Sequence, residues 1–225
     1  MLVLDHLPAL LNGVLMTLSL TGVALIAGLL IAFGLSLCNE SHSRVLKSLV
    51  GVLLLFVRGT PVLVQLFLVY YGLGQFDALR ASSWWVLFQQ PVFCAMLVLS
   101  INTGCYTSVI LSGAIRAVPD TYRQAAAALG MGPWLTLRRI ILPRAWQLAL
   151  PAYSNEALIV LKTTSLASVI TLMDIMGVTQ DLISETYDTL YWYAVAAVLY
   201  LALNSVLILL FQVLKRSAQP LSRHS

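Results

Sequence analysis

The sequence predicts an all-α integral membrane protein with five transmembrane helices and a short helical loop between the third and fourth. Three observations predict it. Of the 225 residues, 60% are hydrophobic and only 10% are charged, against about 25% charged in a soluble domain. The apolar residues gather into runs close to the ~20 residues that a spanning helix needs. The basic residues gather in alternate loops between those runs, the pattern that orients multi-pass proteins.

The first span, roughly residues 13–37, lies in an uncharged run from Leu7 to Asn39. No basic region precedes it, so this run is expected to remain as a span rather than leave as a cleaved signal. The second span, roughly 48–73, is interrupted by Arg58. The third, roughly 90–114, sits between Arg80 and Arg116. The fourth, roughly 147–172, contains Glu156 and Lys162. The fifth, roughly 190–213, sits between Asp188 and Lys215. No repeat divides the chain, and residues 1–225 read as one transmembrane domain. Cys38, Cys94 and Cys105 lie in or beside apolar segments without metal-type spacing, so they read as small apolar side chains and not as metal ligands.

Loop charges set the orientation. Arg44 and Lys47 follow span one. Arg116, Arg123, Arg138, Arg139 and Arg144 lie between spans three and four. Lys215, Arg216 and Arg223 follow span five. Of the 13 basic residues, only Arg80 falls in the opposite loops, while Arg58 and Lys162 fall inside spans. Asp5, Asp77, Asp174, Asp181, Glu185 and Asp188 all lie on the side poor in basic residues. The N-terminus is therefore expected outside and the C-terminus in the cytoplasm. This topology accounts for the pI near 9.1, and no nucleic-acid partner is expected. Trp84 and Trp85, with Tyr191, Trp192 and Tyr193, fall at the outer boundary, the depth amphipathic rings favour.

The loop of roughly residues 117–144 contains "QAAAALGMGPWLTLRRIILP" (124–143). Thr121 and Gln124 have capping-box spacing. Four alanines, Ala125 to Ala128, favour helix. Gly130 suits a left-handed helix end. Gly132-Pro133 restarts a helix and Pro143 is expected to stop it. Two short helices at a sharp angle result, with a partly apolar face of Ala125, Ala126, Leu129 and Met131. Such a face either packs beneath the spans or receives a partner.

Polar groups inside the spans are the candidate site, because each charge there costs at least ~2.5–3.5 kcal/mol on insertion scales. Arg58 opens Arg58-Gly59-Thr60-Pro61, where Gly and Pro free backbone groups that a cavity or neighbour must satisfy. Its planar fork suits a carboxylate, from a substrate or from a structural acid. Glu156 either receives a cationic group of a substrate or pairs with Arg58 or Lys162. Glu156 and Thr163 share one helical face, with Asn155 and Lys162 in a parallel stripe. Thr163, Thr164, Ser165 and Ser168 either face a wet surface or bond back to their own helix. Asn102, Thr103 and Tyr106 add neutral hydrogen-bonding groups on span three, Asn102 serving either a ligand or a neighbouring helix. A phosphate-binding loop requires glycines before its Lys-Thr. The only Lys-Thr, Lys162-Thr163, follows "EALIVL", so no ATP site is expected in this chain.

The spacing Gln124-Ala-Ala, three residues, Gly130, nine residues, Ile140-x-Leu142-Pro143 resembles the EAA loop of ABC importer permeases. Gln124 stands where that family usually has glutamate, which retains the capping geometry and loses the charge. "RGTPVLVQLFLVYYG" (58–72), "NTGCYTSVILSGAIRAVP" (102–119), "ALPAYSNE" (149–156) and "KTTSLASVI" (162–170) resemble the polar amino acid branch. "YYGLGQF" and "ITLMDIMG" look most like the M-type permease of arginine importers. The resemblance implies an inner-membrane permease working by alternating access. Its partners would be a cytoplasmic ATPase dimer that binds the ATP, a second permease subunit and an extracytoplasmic solute-binding protein. It implies substrate contacts at Arg58, Thr60, Asn102, Thr103, Tyr106, Asn155, Glu156, Lys162, Thr163 and Ser165. It implies ATPase docking by Gln124, Ala125, Ala126, Leu129, Gly130 and Met131. The substrate would be a small polar amino acid, arginine or another basic one. Two other classes fit the residues alone: a gradient-driven carrier with Glu156 as its proton site, and a membrane scaffold without substrate.

Overall fold

The computed structural model describes residues 5–41 and 43–218; the cytoplasmic charge expected at Arg223 lies outside them. Helix α1 (Leu7–Glu40) is followed by α2 (Arg44–Gly59) and α3 (Val62–Phe67), which continues through a π turn and a 3₁₀ turn to Gln75. Two single turns, α4 (Asp77–Arg80) and α5 (Trp85–Phe88), lead into α6 (Pro91–Ala117). The loop holds α7 (Asp120–Ala128) and α8 (Pro133–Thr136). Helix α9 (Leu142–Thr163) runs into a 3₁₀ segment, Thr164–Ile170, and α10 (Ile175–Thr186) and α11 (Thr189–Ala218) complete the chain. No described residue is in a strand.

Three of these helices, α1, α6 and α11, are long and apolar enough to cross a membrane alone, and the count reaches five if each of two bent pairs is one span. The second span is one of those pairs. It breaks at Thr60-Pro61 and turns by 103°, because Pro61 has no N–H to continue the helix. The other pair bends by 49° between the segment ending at Ile170 and α10.

Small residues on α1 determine how it packs. Gly13, Thr17, Thr21, Ala24, Gly28, Ala32 and Ser36 are all buried, at intervals of three or four residues that line one side of a helix. Gly28 lies against Thr103 and Gly104 of α6, where an added Cβ would come within 3.0 Å of Thr103; a Cβ on Gly104 would come within 2.7 Å of Ile31. Two backbones thus meet closely through small residues, as membrane helices favour. The outer faces of α1 and α11, with Ile26, Leu30, Leu201 and Leu209, are exposed and apolar. Cys94 and Cys105 are buried and Cys38 is half-buried, all three as free thiols.

Two local expectations are corrected, and two side chains have unexpected surroundings. The capping box is not formed: α7 begins at Asp120 after Pro119, with no side-chain cap, so Thr121 is already inside the helix. Pro143 does not stop a helix. It lies in the first turn of α9, and a π turn over Leu137–Ile141 joins α8 to it, with the wider hydrogen bonding absorbing the missing donor. Trp192, at the start of α11, is packed inside the protein: it is 1% exposed among Leu10, Val178 and Leu182, and its indole N–H donates to Thr186 Oγ1 at 2.8 Å. Asp174, counted with the acids on the side poor in basic residues, lies inside the protein. It is fully buried, accepts from the Gly177 N–H at 2.9 Å as the cap of α10, and accepts from the Tyr200 hydroxyl at 3.3 Å.

Candidate functional site

The break between α2 and α3 and the middle of α6 bring most of the candidate polar groups of those spans together. Pro61 cannot donate to the Val57 carbonyl four residues earlier, as a helix would require. The Gln65 side-chain amide takes its place. Its Nε2 lies 2.7 Å from Val57 O, 3.1 Å from Thr60 O and 2.9 Å from Thr60 Oγ1. Its Oε1 accepts from Asn102 Nδ2 of α6 at 3.3 Å. One turn along α6, Tyr106 grips Arg58 twice. Its hydroxyl donates to the Arg58 carbonyl at 3.4 Å, and the guanidinium lies 5.1 Å from its ring centroid, within cation–π range.

Helix α9 supplies the opposing charges, in two stripes that differ in exposure. Glu156 is 8% exposed and Thr163 is half-buried, while Asn155 and Lys162 are exposed. The described residues contain two ion pairs, Arg116–Glu40 at 2.8 Å and Arg123–Asp120 at 3.5 Å. Glu156 belongs to neither, so the pairing with Arg58 or Lys162 left open by the sequence is not made in this arrangement. An apolar cluster fixes the elements against one another: Leu66 beside Gln65, Val98 and Leu99 just before Asn102, Val160 one turn after Glu156, and Ala167.

Other candidates have local roles. Thr103 is 2% exposed and lies against Gly28. Thr163 donates to Ile159 O at 2.9 Å and Ser165 to Lys162 O at 2.7 Å; Thr164 and Ser168 bond back in the same way. These hydroxyls retain an acceptor lone pair but their protons are engaged. Gln65 is the residue sequence reasoning missed. The signal was available: a glutamine four residues after a proline that interrupts a span.

In the loop, α7 ends in a Schellman motif. The Met131 N–H donates to Ala126 O at 3.0 Å and the Gly130 N–H to Ala127 O at 2.9 Å, with Gly130 at φ +73°. Leu129 is 80% exposed, and Gln124 and Ala125 are exposed beside it. Ala126 is fully buried within the chain, so its side chain is closed to a partner, contrary to the docking expectation. Trp134 and Leu135 extend the exposed apolar edge onto α8.

An all-helical chain with three to five candidate spans, one of them broken, and polar groups gathered at the break has the build of a multi-pass membrane protein. Residues 24–219 match the family of binding-protein-dependent transport system inner membrane components, and the chain belongs to that family, as a permease subunit of an ABC transporter. It is 40% identical over 217 residues to the octopine transport system permease protein OccM of Rhizobium radiobacter, covering 96% of this chain and 89% of that one. It is 39% identical over 222 residues to the arginine ABC transporter permease protein ArtM of Escherichia coli (strain K12), covering 98% and 99%. A solved amino acid ABC transporter with histidines superposes with a TM-score of 0.84 at 29% identity, over 95% of this chain and 96% of that one.

Proposed function

We propose that this chain forms the translocation path of an ATP-driven importer for polar amino acids, with arginine or another basic amino acid as substrate. The observation that carries the reading is Glu156, a carboxylate 8% exposed in a membrane helix and in no ion pair among the described residues. Arg58 acts on this carboxylate electrostatically without touching it, and a buried charge with no contacting partner is costly; the cationic end of a substrate supplies that contact during transport. Arg58, held by Tyr106, and Asn102 are the groups for the carboxylate end. The similarity to an arginine permease supports the same assignment.

The exposed Asn155 and Lys162 support pairing. A lysine facing hydrocarbon is disfavoured, and a second permease, identical or homologous, covers that face. Two cytoplasmic ATPase subunits bind the ATP and receive the exposed edge of α7 and α8. An extracytoplasmic solute-binding protein delivers substrate on the other side. The chain carries no ATP site of its own, has its N-terminus outside and its C-terminus in the cytoplasm, and lies in a bacterial inner membrane.

Purification under mild detergent tests the assembly. A Walker-motif ATPase is expected to co-purify, and the reconstituted complex is expected to take up arginine only with ATP. A complex that hydrolyses ATP and transports some other solute while ignoring basic amino acids would remove the substrate assignment.

A further inference from the structure

We propose that Gln65 is the positioning residue of the substrate path, locking the broken second span so that Arg58 and Thr60 are presented at a fixed angle. The inference rests on the transport reading above.

Three observations carry it. First, the break leaves the Val57 carbonyl without its helical donor, because residue 61 is proline. The Gln65 amide replaces that donor at 2.7 Å. Second, the same amide group reaches Thr60 O and Thr60 Oγ1 at 3.1 and 2.9 Å. It therefore spans both sides of the 103° bend, and the residues between its contacts, Arg58 and Gly59, cannot swing independently. Third, its carbonyl oxygen accepts from Asn102 at 3.3 Å, so the orientation of the break is tied to α6. Tyr106, one turn beyond Asn102, completes the frame by holding Arg58.

Gln65 itself is 8% exposed and has both ends of its amide engaged. It acts through Arg58, Thr60 and Asn102 and not by touching substrate. A glutamine suits this position because one planar group both donates and accepts. An apolar residue of equal size would fill the space and leave the Val57 carbonyl buried and unpaired.

The test uses the reconstituted permease–ATPase complex with its binding protein and radiolabelled arginine. Gln65→Met retains the length and volume of the side chain and removes every donor. Gln65→Asn shortens it by one methylene and retains the amide. If Gln65 only fills space, Met is the better substitute; if it positions the break, Asn is. The expected result is a roughly tenfold rise in half-saturating arginine for Gln65→Met, with maximal rate within about twofold of the unsubstituted complex. Gln65→Asn is expected to fall between the two. Half-saturation unchanged in Gln65→Met, or a Met variant superior to the Asn variant, overturns the inference. Failure of both variants to assemble also overturns it, since Gln65 then serves folding alone. An unsubstituted complex that takes up no arginine is a different outcome and counts against the transport reading itself.

Discussion

Glu156 is where the chemistry of the site is most exposed to test. A charge-assisted hydrogen bond contributes about 1.5–3 kcal/mol, or roughly tenfold to more than a hundredfold in affinity. Glu156→Gln retains the shape and removes the charge. Because Glu156 makes no ion pair with Arg58 or Lys162 among the described residues, this substitution breaks no direct contact with a cation, although Arg58 loses the field of the carboxylate. Normal assembly with arginine uptake weakened at least about tenfold is expected, measured on the reconstituted complex. Loss of assembly, restored by adding Arg58→Gln or Lys162→Gln, would make Glu156 a structural counter-ion instead. Glu156 and Arg58 were legible in the sequence because a charge within an apolar run stands out. Gln65 was passed over because it carries no charge; its place four residues after Pro61 was visible, while the bonds by which its amide stands in for the Pro61 N–H appear only in the folded break. Thr103 was misleading for the opposite reason: its hydroxyl reads as polar, while Gly28 beside it makes the position a packing contact.

At the scale of elements, apolar run length located the helices well, and breaks and joins less well. α1, α6 and α11 run three to five residues past their expected C-terminal limits, and α1 also starts six residues early, since hydropathy marks the hydrocarbon portion and helices continue past it. The fourth span hides its true start because Pro143 reads as a stop, whereas a π turn carries the helix through it. The closeness of the α1–α6 contact was also hidden, as it depends on Gly28 and Gly104 in addition to the apolar residues around them. It yields an expectation: Gly104→Ala places a Cβ within 2.7 Å of Ile31, and such overpacking costs about 1–3 kcal/mol. The yield of folded protein in membranes should fall, while Gly113→Ala, which meets nothing within 4 Å, should leave it unchanged. The loop supplies a second. Gly130 has φ +73° and open space around it, so backbone strain alone governs substitution. A β-branched residue there costs about 1–3 kcal/mol. Gly130→Val should insert normally and lose the ATPase in pull-down or the coupling of hydrolysis to uptake; intact association and uptake would remove the docking role.

At the scale of the molecule, the question is whether the chain can move solute unaided. A gradient-driven carrier requires a titratable group reached alternately from both sides, and Glu156 is a candidate for such a proton site. The structure contains a second device that such a carrier has no use for. α7 and α8 meet at a corner closed by a Schellman cap and by buried Ala126, and present Leu129 and Trp134 to solvent at 80% and 65% exposure. A large apolar edge outside the hydrocarbon is disfavoured unless a partner covers it. The same holds within the membrane, where Lys162 is exposed on the surface of a single chain. Both features point to subunits above and beside this one, and to energy entering through the corner. Proteoliposomes holding this chain alone should therefore show no arginine uptake under an imposed proton gradient. Adding the ATPase, the second permease and the binding protein should establish uptake that requires ATP and survives dissipation of the gradient by an uncoupler. Uptake by the chain alone that collapses with the uncoupler and is abolished by Glu156→Gln would instead establish a proton-coupled carrier, and the corner of α7 and α8 would then need another purpose.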